Sequence, residues 1–310
     1  MKTSKDLRDF DSLFELLDYF TTEAVCEAHL AVIRWNGETT CPYCESTNCK
    51  KLGGETNRYK CYGCKKQFGV KVGTIFHDSK ISLRKWFVAI YLITTNKKGV
   101  SSHQLARHIK VTQKSAWFIL QRVREVYNEK PEAFTGIVEV DEKFVGGSDS
   151  NRHASKKIAG GQGGANHTPV LGILERGGKV YALPVVNRKA KTIIPIMVDQ
   201  VAAGATVYTD ECKSYVSLSR SAYTHDFVCH NAKEYVRGGV HTNGIENFWS
   251  HFSRTITGTY HQVSPKHLSR YVNESTFRFN NRDLSDGSKF DVALANGTNK
   301  RLSHKELING

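Results

Sequence analysis

Apolar residues recur at two different periods along this chain, and each change of period marks a change of part. Phe10, Phe14, Leu17 and Phe20 repeat at helical spacing, and Cys26, Leu30 and Ile33 carry that pattern into a second helix, so residues 5–36 read as a helical lead-in. Over residues 41–70 the helical period is lost. Asn48, Gly53, Gly54 and Gly63 break the stretch into short runs such as YK and KQFGV, which favours β-hairpins. From 82 to 127 the helical period returns. One helix runs through LRKWFVAIYLIT with Trp86, Ile90 and Ile93 on one face, and Gly99 ends it. A short second helix, SSHQLARHI, takes Ser101 or Ser102 as cap, and after a turn at Lys110–Val111 a third, TQKSAWFILQRVREVY, takes Thr112. Ala116, Ile119, Leu120 and Val123 mark the buried face of that third helix.

Beyond residue 134 the pattern changes again. β-Branched runs at 136–145, 168–175, 179–186 and 205–209 predict strands, and ERGGKV between the second and third predicts a hairpin turn. Helical patterns at 191–203, 211–219 and 243–256 follow. Hairpins first and strand–helix alternation afterwards indicate a mixed α/β sheet flanked by helices. The stretch at 148–167 is basic and Gly-rich with no apolar face, and reads as a mobile loop or insert after the first strand. VSPKHLSRYVNESTFRFNNRD predicts one more basic helix, and the tail from about 283 has little pattern. The domain boundaries that result are 1–36 for the lead-in, 37–75 for a cysteine-bearing ribbon, 80–130 for the three-helix segment, 134–285 for the α/β part and 286–310 for a C-terminal tail.

Charge narrows the partners. In 310 residues, 44 basic against 30 acidic side chains give a net charge of +14, which points to a polyanion, nucleic acid first. No stretch approaches the ~20 apolar residues that span a bilayer, and MKTSKDLRDF lacks the apolar region of a signal peptide, so no membrane partner is expected. A reducing compartment is expected, where eight cysteines signify metal ligation or buried thiols rather than disulfides.

The cysteines are organised. CPYC and CYGC supply Cys41, Cys44, Cys61 and Cys64, the paired C-x2-C spacing of one structural zinc ion whose four sulfurs close the coordination shell. Cys49 is a spare thiol, and Cys26 is expected to be buried. Lys50, Lys51, Lys60, Lys65 and Lys66 make the ribbon basic. In the three-helix segment, which has the layout of a helix-turn-helix, Gln113, Lys114 and Ser115 fall at the exposed start of a recognition helix, where base edges would be met. Gln121, Arg122 and Arg124 are candidates for phosphate contacts.

Three acidic positions carry the candidate chemistry. Asp141 ends GIVEVD, Asp210 ends ATVYTD, and Glu246 lies early in a helix in VHTNGIENFWSHFSR. Alternation puts Glu139 and Asp141 on one side of their strand and Val138 and Val140 on the other. Asn243 is one turn before Glu246 and shares its face. Carboxylates at strand ends and on a facing helix can converge on hard divalent cations, which activate an attacking oxygen and stabilise a leaving oxygen on phosphorus. His241 is a candidate DNA contact or proton shuttle.

In chain order, CPYC…CYGCKKQF, SSHQLARHIKVTQKSAWFILQRVR, VEVDEKFVGG, TDECKSY and HTNGIENFWSHFSR resemble the zinc-ribbon DDE transposases of bacterial insertion sequences, the ISXO-like group related to Merlin elements, over roughly residues 10–285. The resemblance implies a ribonuclease H-like catalytic domain, two catalytic Mg or Mn ions, and cleavage and strand transfer at terminal inverted repeats. It also implies double-stranded DNA, both element ends and target, as the partner. A homodimer or higher oligomer would hold two ends together, and in a bacterium the protein would be cytoplasmic and nucleoid-associated. By motif, Asp141 and Asp210 match the first two catalytic aspartates; Glu246 stands first and Asn243 second for the third position. Ser253 occupies the place where the family often has Lys, and Arg254 follows as an alternative phosphate contact. Two other readings remain: a DNA-binding regulator without catalysis, and a metal nuclease without strand transfer.

Overall fold

The computed structural model describes residues 10–53, 57–146, 167–210, 215, 223–229, 234 and 236–309. The basic Gly-rich stretch, apart from His167, and the helical pattern at 211–219, apart from Tyr215, lie outside the described residues. The chain divides into two compact units, Met1–Tyr127 with Asp283–Gly310, and Asn128–Arg282.

The first unit is helical around a small sheet. Helices α1 (Leu13–Tyr19) and α2 (Glu23–Trp35) start at Ser12 and Thr22, whose side-chain oxygens accept from Glu15 and Val25 N–H. Phe10 and Phe20 flank α1 rather than ride on it. Leu16 therefore takes the inward position, and Phe14 is exposed where the periodicity expected it to be packed. Cys26 is buried, as expected. The ribbon is a three-stranded antiparallel sheet, β1 (Cys49–Lys51), β2 (Arg58–Cys61) and β3 (Gln67–Gly69). Tyr59 and Phe68 stack on neighbouring strands, and Trp35 of α2 meets both rings edge-on.

Helices α3 (Leu83–Thr95), α4 (Ser102–Ile109) and α5 (Gln113–Val126) follow. Ser101 caps α4 by accepting from Gln104 N–H, Thr112 caps α5 by accepting from Ser115 N–H, and Lys110 between them takes a left-handed φ of 49°. The face named by Ala116, Ile119, Leu120 and Val123 is buried, and Gln113 and Lys114 are exposed.

The expectation of a patternless tail is corrected: the C-terminal residues fold into α9 (Asp286–Asn296) and α10 (His304–Asn309) within this unit. Phe290 of α9 sits 5.5 Å from Phe87 of α3, and Asp291 lies 3.4 Å from the buried His29 ring. The tail changes the meaning of two arginines. Arg122 and Arg124 are buried, as is Gln121, so none of the three faces a phosphate backbone. Arg122 donates from Nε to the Leu302 carbonyl and from Nη1 to the Ile75 and His77 carbonyls, each at 2.8 Å. A guanidinium with this many fixed acceptors is a structural tie. Arg122→Ala is therefore expected to destabilise this unit by ~3 kcal/mol or more, because buried carbonyls lose charge-assisted partners. Arg122→Lys should recover only part, since an ammonium cannot reproduce the fork. Thermal unfolding of the full chain measures this; unchanged stability with weakened DNA binding would restore the phosphate reading.

The second unit holds a five-stranded mixed sheet in the order β6-β5-β4-β7-β8. Strands β4 (Ile137–Val145), β5 (Thr168–Glu175) and β6 (Val180–Pro184) are antiparallel neighbours; β7 (Thr206–Asp210) runs parallel to β4, and β8 (Thr224–Val228) parallel to β7. The sequence pattern contains four of these strands. Val138, Val140, Leu171, Ile173 and Val207 pack with Ile193 and Met197 of α6 (Ala190–Gln200) on one face. On the other, Val170, Leu174, Val180 and Ala182 pack with α7 (Asn243–Thr255) and α8 (Leu268–Asn280). A five-residue π-helix, Ile256–Tyr260, continues directly from α7.

Candidate functional site

Among the described residues, the four cysteines form the only group of three or more His, Cys, Asp or Glu whose ligand atoms all lie within 4.8 Å of one another. Their two knuckles are built alike. Cys41 N–H donates to the Ser46 carbonyl and Cys61 N–H to the Lys66 carbonyl, each at 3.0 Å. Glu45 and Lys65, just after each pair, take left-handed φ values of 58° and 62°. Sulfurs approach to 3.7 Å (Cys41–Cys64) and 3.6 Å (Cys44–Cys61). The Cys64 backbone N–H, donating to the Cys61 sulfur, helps hold the Cys61 thiol well below its ordinary range, which favours the thiolate that binds metal. Four sulfurs with no open position fit a structural zinc ion. Cys49 stays outside the group, its thiol directed to the Ser46 carbonyl.

In the second unit, register brings the two aspartates together. Val140 of β4 pairs with Thr209 of β7 in parallel, so the next residues, Asp141 and Asp210, end up side by side. Alternation turns both toward the face that α7 covers, opposite Val140 and Val207. Burial first, and then the neighbouring Asp210 charge, push the Asp141 carboxyl up to about 7; Glu142 and Glu246 add to the same effect. Glu142 points to the opposite face, where it accepts from the buried Tyr215 hydroxyl. Burial raises the Glu142 carboxyl above its usual range, with the Asp210 charge contributing. The sequence pattern had not assigned a role to Glu142 or Tyr215, although each lies within a motif that carries an aspartate.

Gly172 lets α7 come this close. It pairs with Asp141 across β4 and β5, and a Cβ on it would stand 2.5 Å from the Trp249 ring and 2.8 Å from Ile245. With Ile245 and Trp249 seated there, Glu246 lies on the outer side of the first turns of α7. Thr242, buried, donates from its hydroxyl to Glu246 Oε1 at 2.8 Å. Asn243, Glu246, Ser250 and Arg254 are all exposed on this helix, and Arg254 bonds back to Ser250. Asp141, Asp210 and Glu246 thus share one region, in which the Asp210 and Glu246 charges both act on Asp141. Their oxygen donors and the unfavourable charge between the aspartates fit a hard divalent cation, which would lower that penalty.

The N-terminus of α7 is tied to β4 by Glu139. This carboxylate is buried beside Tyr208 and accepts from Ile245 N–H at 2.9 Å and from Arg176 Nε at 2.7 Å. His241 Nδ1 lies 2.9 Å from Arg176 Nη2 and 3.5 Å from Glu139, so this ring atom is turned into the protein. Among the described residues no helix is long and apolar enough to cross a membrane.

Residues 133–280 match the ISXO2-like transposase domain, and residues 21–67 match a transposase zinc-ribbon domain. A Halobacterium salinarum protein, described as an uncharacterized protein in transposable element ISH50, is 30% identical over 265 residues, which cover 82% of this chain and 89% of that one. An uncharacterized transposase-like protein of Haemophilus influenzae is 32% identical over 120 residues, 39% of this chain and 96% of its own length.

Proposed function

Because this chain belongs to the ISXO2-like transposase family, we propose that it binds the terminal inverted repeats of an insertion sequence and catalyses metal-dependent cleavage and strand transfer of their DNA. The observation that carries this reading is the register-matched pair Asp141 and Asp210 under the helix that bears Glu246. The sheet order, an antiparallel trio extended by two parallel strands, supports a ribonuclease H-like assignment. Asp141 and Asp210 would hold two Mg or Mn ions, with Glu246 completing the set; its charge acts on Asp141, which favours it over Asn243. The ions would supply activation of the attacking oxygen and stabilisation of the leaving one.

The remaining residues hold DNA. Gln113 and Lys114, exposed at the start of α5, would meet base edges, in keeping with a helix-turn-helix. Arg254, exposed on the face that carries Glu246, would contact a phosphate near the reacting bond. The ribbon lysines would follow the backbone of the duplex. Two ends must be held at once, so the active species would be a dimer or larger.

Ser253, where the family resemblance places a lysine, is the one observation favouring a DNA-binding protein without catalysis. A strand-transfer assay with paired terminal-repeat duplexes and Mg or Mn separates the readings. Joined products support the transposase. Cuts without joining indicate a nuclease, and specific binding without cuts a regulator; either outcome refutes this proposal.

A further inference from the structure

Arg176 touches none of the three candidate carboxylates, yet more of its side chain is engaged with their surroundings than any surface loop requires. It stands in the tight turn after β5, between Glu175 and Gly177 (φ 70°). Its guanidinium lies 4.9 Å from the centre of the Tyr208 ring, two residues before Asp210. Nε donates to Glu139, two residues before Asp141. Nη1 donates to the Gly239 carbonyl at 2.9 Å, and Nη2 to the His241 carbonyl at 2.8 Å. Those two carbonyls belong to the segment that delivers the chain into α7. Immediately after His241, the Thr242 hydroxyl binds Glu246 and the Ile245 N–H is held by Glu139. One planar cation therefore joins the strands bearing both aspartates to the turn that aims the third carboxylate.

We propose that Arg176 is a positioning residue for the metal site: through Glu139 and the Gly239–His241 carbonyls it fixes the entry to α7, and through Thr242 the direction of the Glu246 carboxylate. This inference rests on the reading of Asp141, Asp210 and Glu246 as cation ligands. Glu139 has a plain structural part in it. A buried carboxylate at a helix N-terminus satisfies free backbone N–H groups and complements the helix dipole. Gly244 has no side chain because a Cβ there would stand 2.8 Å from Glu139 Oε2. Arg176 adds the coupling between that cap and the preceding turn, and partners of this kind typically change metal affinity ~10–100-fold when removed.

The test uses the full-length, zinc-loaded chain and Mn2+ as probe, with bound Mn2+ read by electron paramagnetic resonance and unfolding followed separately. Arg176→Met should weaken Mn2+ binding ~10–100-fold. It also leaves Glu139 buried without its cation, so a loss of stability is expected as well. Glu139→Gln with Arg176→Met removes both charges and keeps an oxygen acceptor for Ile245 N–H. The double variant should recover most of the stability while Mn2+ binding stays weak, and the Mn2+ concentration for half-maximal cleavage should rise in parallel. Specific binding to the repeat ends should be unchanged. If both variants bind Mn2+ like the unmutated chain, or if the double variant regains Mn2+ binding along with stability, Arg176 is only structural and the inference is overturned. If Asp141→Asn binds Mn2+ as well as the unmutated chain does, the ligand reading fails, and this inference with it.

Discussion

Asp141→Asn and Asp210→Asn are each expected to lower the cleavage rate by on the order of 10³-fold or more while leaving specific end binding intact. Each change removes one anionic oxygen from a site proposed to offset the charge of two cations, and barely alters shape. In Asp141→Asn the new carboxamide keeps an oxygen that can accept from Glu142 N–H, as Asp141 Oδ1 does at 2.8 Å. The two aspartates arrive on separate strands joined by a parallel ladder, so neither substitution removes a backbone pairing. The assay is cleavage of a pre-bound terminal-repeat duplex with Mg or Mn; near-normal cutting by either variant would sink the two-metal assignment.

The same substitution has a second, opposite effect on stability. In the folded, metal-free chain the Asp141 carboxyl is pushed from its ordinary 3.8 up to about 7. Between those values the folded state keeps a proton that the unfolded state has lost. Asp141 therefore supports folding fully below about pH 4, and that support is lost as pH rises through about 7. A rise of this size corresponds to up to about 4 kcal/mol. The substituted asparagine cannot ionise, so the metal-free variant should be more stable than the unmutated second unit at pH 8 and closer to it at pH 4. Added Mg or Mn should raise the stability of the unmutated chain at pH 8 more than that of the variant. A variant that melts lower than the unmutated chain at pH 8 would refute the burial penalty and the charge conflict with Asp210 that together raise the Asp141 carboxyl.

What the sequence discloses and what it hides follow from range. Alternation within GIVEVD already separates Val138 and Val140 from Glu139 and Asp141, because period two is a property of a few consecutive residues. The caps at Ser101 and Thr112 are local for the same reason, being bonds to backbone N–H groups three residues on. The four cysteine ligands are legible because each C-x2-C pair fixes its own knuckle. Arg122 shows the opposite case. Its place on α5 is plain, but its partners are carbonyls at 75, 77 and 302, and the last belongs to a tail with weak periodicity. Without that tail the face looks exposed. Strand β8 was hidden because THDFV carries too few apolar residues to signal a strand, and its parallel partner β7 makes up for that through ladder bonds. Arg176 was silent because a turn arginine is ordinary; only the approach of β7 and of residues 239–241 gives it meaning.

Cys61→Ser should release the zinc ion and unfold residues 41–70. The sheet there has strands of three or four residues, and its aromatic packing comes down to Trp35, Tyr59 and Phe68. A core that small supplies little of the folding free energy, whereas structural zinc contributes ~10–16 kcal/mol in isolated finger peptides at neutral pH. Cys61 is the most telling ligand to remove. It is fully buried, it ends β2, and its sulfur receives the Cys64 N–H that shapes the second knuckle. A serine hydroxyl there is a poor zinc ligand and leaves three thiols facing one another. Cys49→Ser is the matched control: Cys49 pairs with Cys61 across β1 and β2, but its sulfur points to the Ser46 carbonyl, so zinc should stay at one ion per chain. Metal analysis and hydrogen exchange over residues 41–70 should report the loss in Cys61→Ser alone, together with weaker end binding, while the transition of Asn128–Arg282 is retained. Full zinc content in folded Cys61→Ser, or a folded unmutated ribbon after the metal has been stripped, would show that these strands hold themselves together and that the four sulfurs serve some other end.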